Sequence, residues 1–271
     1  MKLSYPVGTP EVRGRILGHT GSIERVCDEL QAAGYAGIEP FVCNPESFAA
    51  EAWARAVERS GLAVAAVGTG PVVLDDQLTF TAADESVRRA AIERTKGIVR
   101  FAARLGTQVN IGKLRGELPS GGGEARARDW MRAAFAEVCA FGENLGVTLT
   151  LEPQNRTIIN NLNTTAESLA WLRNLALPNL RLMLDVFHMD HEGEDLAAGF
   201  ASAGADLWHV HYADTERRVP GDGRIDFRAI TENLHALGYD RFITVEIKQE
   251  PDSATAARRS AAFLRPLLAG L

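Results

Sequence analysis

Leu207-Trp-His-Val-His-Tyr-Ala-Asp214, trailed by Arg217 and the turn Pro220-Gly-Asp-Gly223, reads as a buried strand that gives way to a polar loop. Leu207 to Tyr212 is a short, largely apolar and aromatic run, as expected of a strand covered on both faces. His211 falls where that strand runs out, beside Asp214, an arginine and a proline–glycine turn. In parallel α/β folds a rigid strand hands over to a functional loop at its carboxyl end in this way.

The same unit recurs on both sides of this stretch. Leu3 to Val7 is a first strand. Ser22 caps a helix whose Ile23, Val26, Cys27, Leu30 and Ala33 lie at helical spacing, and Gly34 stops it. Ala36 to Pro40 is a second strand, with Glu39 near its end. A helix from Pro45 to Ser60 follows, then a continuous apolar strand from Leu62 to Val67 and the loop Gly68-Thr-Gly70. A long helix over 83–105 leads to a fourth strand, Gln108 to Ile111, and to the polar loop Gly112-Lys113-Leu-Arg115. Helices at 124–145, 164–175, 195–203, 226–237 and 253–268 then alternate with strands at 147–151, 181–184, 207–212 and 242–245. Eight strand–helix units without a linker predict an α/β chain folded as a single (β/α)8 TIM barrel, one domain over 1–271. No GxGxxG follows the first strand, which argues against an open doubly wound sheet.

Composition narrows the function classes. The 271 residues are 46% hydrophobic and 24% charged, with a net charge of −6. That balance lacks the basic footprint of a nucleic-acid-binding protein. No run approaches the length of a membrane span, and the amino terminus has no apolar leader, so a membrane partner is not expected. Cys27, Cys43 and Cys139 show no paired spacing and read as reduced thiols in a cytoplasmic protein.

Four predicted strands end in metal-ligand residue types: Glu152, Asp185, His211 and Glu246. These are the fifth to eighth strands, neighbours around a barrel, so their carboxyl ends converge on one rim. Three carboxylates brought together would repel one another, and a divalent cation resolves the conflict. Three oxygens and one imidazole suit Mn²⁺, Mg²⁺ or Co²⁺ better than a structural zinc, although Zn²⁺ also accepts such ligands. A metal of this kind, held on a carbonyl and an adjacent hydroxyl, acidifies the neighbouring C–H as a Lewis acid. One carboxylate removes that proton, and a second on the opposite face returns it with inverted configuration. His209, two residues before His211, faces the same way one layer deeper. His19, His191 and His235 read as loop or helix-surface residues. Glu39 reads equally as a cleft residue or as the partner of a loop cation.

The sequence resembles, over essentially its whole length, the sugar isomerase and epimerase superfamily of xylose-isomerase-like TIM barrels, which includes ketose 3-epimerases and hydroxypyruvate isomerase. The motifs are Leu151-Glu-Pro-x-Asn-Arg156, Leu184-Asp-x-x-His188, Val245-Glu246, and His209-x-His211-x-Ala-Asp214-x-x-Arg217-x-x-Pro220-Gly-x-Gly223 running on to Asp226-Phe227. The resemblance implies Glu152, Asp185, His211 and Glu246 as metal ligands and Glu152 and Glu246 as the acid/base pair. It implies His188 and Arg217 as groups that hold substrate oxygens. It also implies a small carbohydrate substrate, passing through a metal-stabilised enediolate, and leaves a homo-oligomer, dimer or tetramer, open. One departure stands out: ketose 3-epimerases commonly read Asn-Arg-x-Glu where this chain reads Asn155-Arg156-Thr157-Ile158. Lys113 and Arg115 add cations at the end of the fourth strand and are candidates to meet an anionic group on the substrate. A dehydratase or decarboxylase on the same scaffold is the alternative reading. A nuclease resembling endonuclease IV is disfavoured by the acidic charge.

Overall fold

The computed structural model describes residues 1–270. Nine strand segments form one parallel sheet: β1 (Lys2–Gly8), β2 (Gly37–Phe41), β3 (Ala63–Val64), β4 (Val67–Gly68), β5 (Val109–Ile111), β6 (Leu149–Leu151), β7 (Leu180–Asp185), β8 (Leu207–Tyr212) and β9 (Phe242–Val245). The order is β1-β9-β8-β7-β6-β5-β4-β2-β3, and β1 also pairs with β2, which closes the ring. β3 and β4 share one barrel position, so the ring has the eight positions of a (β/α)8 TIM barrel.

The third barrel strand is not the continuous run expected from Leu62 to Val67. The Gln108 side chain donates to the Ala65 carbonyl at 3.1 Å, and the ladder to β5 starts only at Val67, whose N–H donates to Gln108 O at 2.8 Å. A side-chain bond replaces a backbone bond there, and the apolar pattern of Ala63-Val-Ala-Ala-Val67 carries no sign of it.

The outer helices are α1 (Ile23–Ala33), α2 (Ala50–Ser60), α3 (Gly70–Asp76), α4 (Glu85–Leu105), α5 (Glu124–Glu143), α6 (Thr165–Leu175), α7 (Val186–His191), α8 (Leu196–Ala203), α9 (Phe227–Ala236) and α10 (Ser253–Ala269). α1 buries Ile23, Val26, Cys27 and Leu30 against the barrel, the stripe its spacing predicts. A capping box of Thr164 and Glu167 opens α6. α3 and α7 have no counterpart in the sequence reading, because helices of seven and six residues carry too few turns to show a period. α7 begins at the barrel rim, where the Asp185 carboxylate accepts from the Phe187 N–H at 2.8 Å.

Alternation along β8 sorts its side chains. Tyr212 turns out to the helices, packs on Phe227 and bonds Thr231 of α9 at 3.1 Å. His209 and His211 turn inward. The barrel interior below the rim is polar: Ser4 bonds Thr244 at 2.7 Å, Thr150 bonds Asn110, and Asn110 donates to Glu39 at 2.7 Å. All three cysteines are free and buried. His19 is buried too, not a surface residue, because its Nε2 meets Glu29 at 2.7 Å. Among the described residues no helix is long and apolar enough to cross a membrane.

Candidate active site

Glu152 follows β6, Asp185 ends β7, His211 is the fifth residue of β8 and Glu246 follows β9. The parallel register sets Asp185 beside His211 and His211 beside Thr244. One ligand atom from each of Glu152, Asp185, His211 and Glu246 therefore lies within 4.8 Å of the others. His211 Nδ1 is 3.4 Å from Glu246 Oε2 and 3.9 Å from Asp185 Oδ2.

These groups are costly to enclose together. Burial, reinforced by the charges of Glu246 and Asp185, pushes Glu152 up to about 8. Burial also raises Asp185, against the pull of Arg217. Burial opposes ionisation of Glu246 as well, but Arg217 and His211 outweigh it and hold the group below its ordinary value. Arg217 Nη1 contacts Asp185 Oδ2 at 2.6 Å and Glu246 Oε2 at 2.8 Å.

The donor set fits a divalent cation on a further observation. His211 Nε2 lies 3.0 Å from Glu39 Oε2, while its Nδ1 is buried without a hydrogen-bond partner and faces the carboxylates. With Nε2 donating to Glu39, Nδ1 is the nitrogen turned to the space the carboxylate oxygens share, where a cation would take the place of its proton. Three hard oxygens and one imidazole nitrogen, backed by a carboxylate behind the imidazole, make a metal-ligand set.

The turn after β8 delivers Arg217. The Asp214 carboxylate accepts from the N–H groups of Thr215, Gly221, Gly223 and Ile225 at 2.8, 2.9, 2.9 and 3.2 Å. A Cβ on Gly223 would lie 2.2 Å from Asp214 Oδ1, so glycine is needed for that approach. Glu216 and Arg217 both take left-handed backbone, φ 60° and 59°, at a cost of order 1 kcal/mol each. Asp214 and the glycine turn hold that strained bend, and the Arg217 guanidinium reaches the cluster while stacking 4.3 Å over Phe187.

His188 is buried, and burial followed by the nearby Arg217 charge holds it well below its ordinary range, hence neutral. Its Nδ1 faces the Asn155 backbone N–H at 3.4 Å and side-chain Nδ2 at 2.8 Å. Its Nε2 lies 3.8 Å from Glu152 Oε1 and 3.0 Å from Arg217 Nη2. The Asn155 backbone N–H and the Arg217 guanidinium can both only donate, so donors face both ring nitrogens and the protein contacts favour neither tautomer. His188 Nε2 and the Arg217 guanidinium thus meet beside Glu152.

The two cations of the loop after β5 separate. Lys113 lines the cleft, with no ion pair among the described residues. Arg115 does not meet the expectation of substrate contact. It is fully buried, and its guanidinium donates to the carbonyls of Gly112, Glu152, Asn161 and Leu162 and to the Asn161 side chain. The sequence could not show this, because the acceptors come from a loop some 40 residues away that the barrel folds over it. Gln154 is a site residue that the sequence reading missed: its Nε2 donates to Glu152 Oε2 at 2.7 Å. Its place inside Leu151-Glu-Pro-Gln-Asn-Arg156 was the available signal. A Cβ on Gly112 would sit 2.4 Å from Glu152 Oε2, so this close approach also depends on glycine.

The cleft is lined by Glu39, Phe41, Thr69, Asn110, Lys113 and Gln154 beside the metal-type residues. Its free volume, about 70 Å³, is roughly the share of two waters. A larger hollow of about 400 Å³ opens around Trp208, Arg241 and Phe242, at the amino-terminal ends of β8 and β9. It holds none of the clustered carboxylates, and TIM barrels place their chemistry at the other face.

The Xylose isomerase-like TIM barrel family matches residues 27–267. An L-ribulose 3-epimerase from Mesorhizobium japonicum is 34% identical over 80% of this chain and 72% of its own. A ketose 3-epimerase from Arthrobacter globiformis is 29% identical over 80% of this chain and 75% of its own. In fold, the chain is similar to a 3-keto-D-glucoside 4-epimerase from E. coli, with a TM-score of 0.83 and 22% identity over 98% of this chain and 100% of that one. The chain belongs to the xylose isomerase-like TIM barrel family, and these relatives within it are sugar epimerases.

Proposed function

We propose that this chain epimerises a small ketose or related sugar acid at a carbon next to the carbonyl, with Glu152, Asp185, His211 and Glu246 holding a divalent ion. The carrying observation is the convergence of those four ligand atoms beside His188 and Arg217. When bound, such an ion, Mn²⁺ before Mg²⁺, Co²⁺ or Zn²⁺, would supply Lewis acidity at the substrate carbonyl.

The protein groups divide the remaining work. Glu152 and Glu246 follow β6 and β9, three barrel positions apart, and so approach a substrate from different sides. One takes the proton next to the carbonyl and the other returns one on the opposite face, which inverts the carbon. Gln154 fixes Oε2 of Glu152 and leaves Oε1 toward His188. His188 and the Arg217 guanidinium hold substrate oxygens, and Lys113 meets the far end of the substrate, including an anionic group where one is present. Buried, unpaired cysteines fit a reducing, cytoplasmic setting.

The test is proton NMR in D2O on a panel of ketoses, keto-acids and their phosphates, with enzyme first loaded with Mn²⁺ and then stripped. Metal-dependent deuterium entry next to the carbonyl, with an epimer as product, is expected. Loss of water or carbon dioxide would refute epimerisation, and exchange that persists in stripped enzyme would refute the metal.

A further inference from the structure

Glu39 is fully buried and has no lysine or arginine partner among the described residues. Its Oε2 is shared by two imidazoles, His209 Nε2 at 2.9 Å and His211 Nε2 at 3.0 Å. These bonds run across the barrel interior, from β2 to β8, which are not neighbours in the sheet. Its Oε1 accepts from Asn110 Nδ2 at 2.7 Å, and the orientation of that amide is fixed because Asn110 Oδ1 accepts from Thr150. Both carboxylate oxygens are therefore held, from β5 on one side and β8 on the other.

We infer that Glu39 is a positioning residue that keeps the His211 proton on Nε2 and so makes Nδ1 the nitrogen that ligates the metal. The inference rests on the metal centre proposed above. A carboxylate only accepts, so an imidazole nitrogen 3.0 Å from it must carry hydrogen. The other nitrogen of His211 is then the one left for a metal, and it is the one buried without a hydrogen-bond partner among the ligand carboxylates. A carboxylate behind a ligating histidine raises its basicity and fixes its ring.

His209 completes the support. Its ring meets His211 edge to face, with centroids 5.2 Å apart and planes at 80°. Its Nε2 also touches Thr244 Oγ1 at 3.0 Å, and Thr244 bonds Ser4 at 2.7 Å. The His-x-His spacing thus stacks one layer of β8 under the next, and both layers lean on one carboxylate. A second cation among Glu39, His209 and His211 is the competing use of these atoms. The contacts to Glu39 are ordinary hydrogen-bond lengths, and the amide held on Oε1 already satisfies its other side.

Zn²⁺ is the probe, because it is diamagnetic. In ¹⁵N-histidine-labelled wild type saturated with Zn²⁺, His211 should show Nδ1 ligated and a hydrogen-bonded proton on Nε2. Ligation through Nε2 would overturn the inference with no mutant needed. Chelator competition should show Zn²⁺ binding weakened roughly 10–100-fold in Glu39→Gln. An amide there must set one N–H donor against either Asn110 or a histidine. Glu39→Asp should recover part of the affinity, which a loss of packing alone would not predict. Glu39→Gln that folds and binds Zn²⁺ as tightly as wild type would overturn the inference, as would two Zn²⁺ per chain. Wild type that binds no Zn²⁺ would fail the metal centre itself, a result distinct from binding through the wrong nitrogen.

Discussion

Replacing Glu152 by glutamine should make the metal-free protein more stable while abolishing its turnover. Glu152 is 7% exposed, and burial with the charges of Glu246 and Asp185 raises it to about 8 from an ordinary 4.5. A carboxyl raised in this way binds a proton more tightly folded than unfolded, so its contribution to stability is intact below pH 4.5 and drains away as pH rises toward 8. At pH 7 the loss is about 3 kcal/mol, from about 1.4 kcal/mol per pH unit. Relaxation among the coupled carboxyls returns part of this. Glu152→Gln keeps the shape, lets the Gln154 amide donate to an amide oxygen, and has no ionisation to suppress. The expected gain is roughly 1–3 kcal/mol at pH 7, a Tm higher by roughly 3–10 °C in stripped protein. Differential scanning calorimetry of both stripped proteins at pH 4, 7 and 8 measures it. The gain should vanish at pH 4. On adding Mn²⁺ the order should reverse, because the wild type keeps its full ligand set and ligand binding stabilises by mass action. Turnover should fall by about 10³-fold or more. A variant no more stable than wild type at pH 8, or a gain that persists at pH 4, would refute the electrostatic account of the cluster.

Glu246→Gln should lower kcat by a similar factor while leaving circular dichroism unchanged, and wild-type turnover would remove Glu246 from the acid/base pair. EDTA should abolish activity and Mn²⁺ restore it, and full activity in demonstrably metal-free protein would sink the mechanism. Metal binding must displace the proton that Glu152 holds below about pH 8, and that of His211, which, against burial, Glu39 and Glu246 hold well above its ordinary range, so affinity should weaken by at least about tenfold per unit between pH 7 and 6, measurable by chelator competition. Arg115→Met should cost about 3 kcal/mol or more in urea unfolding, because it leaves four backbone carbonyls in the interior without their donor. Stability equal to wild type would return Arg115 to the list of surface cations.

The barrel was legible because each strand–helix unit is short, apolar where buried and punctuated by glycine. Gly34, Gly61, Gly106 and Gly238 stand just past helices in left-handed backbone, where the sequence placed the stops. The four metal-type residues were legible for a related reason. A residue at the carboxyl end of a barrel strand has a fixed destination, and the fifth to eighth strands are neighbours in sequence and in the ring. Their convergence follows from topology and needs no knowledge of side-chain packing.

The outcomes at Arg115, Glu39 and His19 depend on partners brought from elsewhere in the chain. Arg115 meets carbonyls from residues 152, 161 and 162, Glu39 meets histidines 170 and 172 positions away, and His19 meets Glu29 on the next helix. A charged side chain looks the same in sequence whether it waits for a substrate or closes a loop. Burial and the geometry of its acceptors distinguish the two, and both arise only when distant segments pack. Sequence alone therefore determined the barrel and which residues reach its rim, since both follow from local periodicity and the order of strands. Only the tertiary structure decided which of those residues face the cleft and which hold them in place, since each depends on long-range hydrogen bonds.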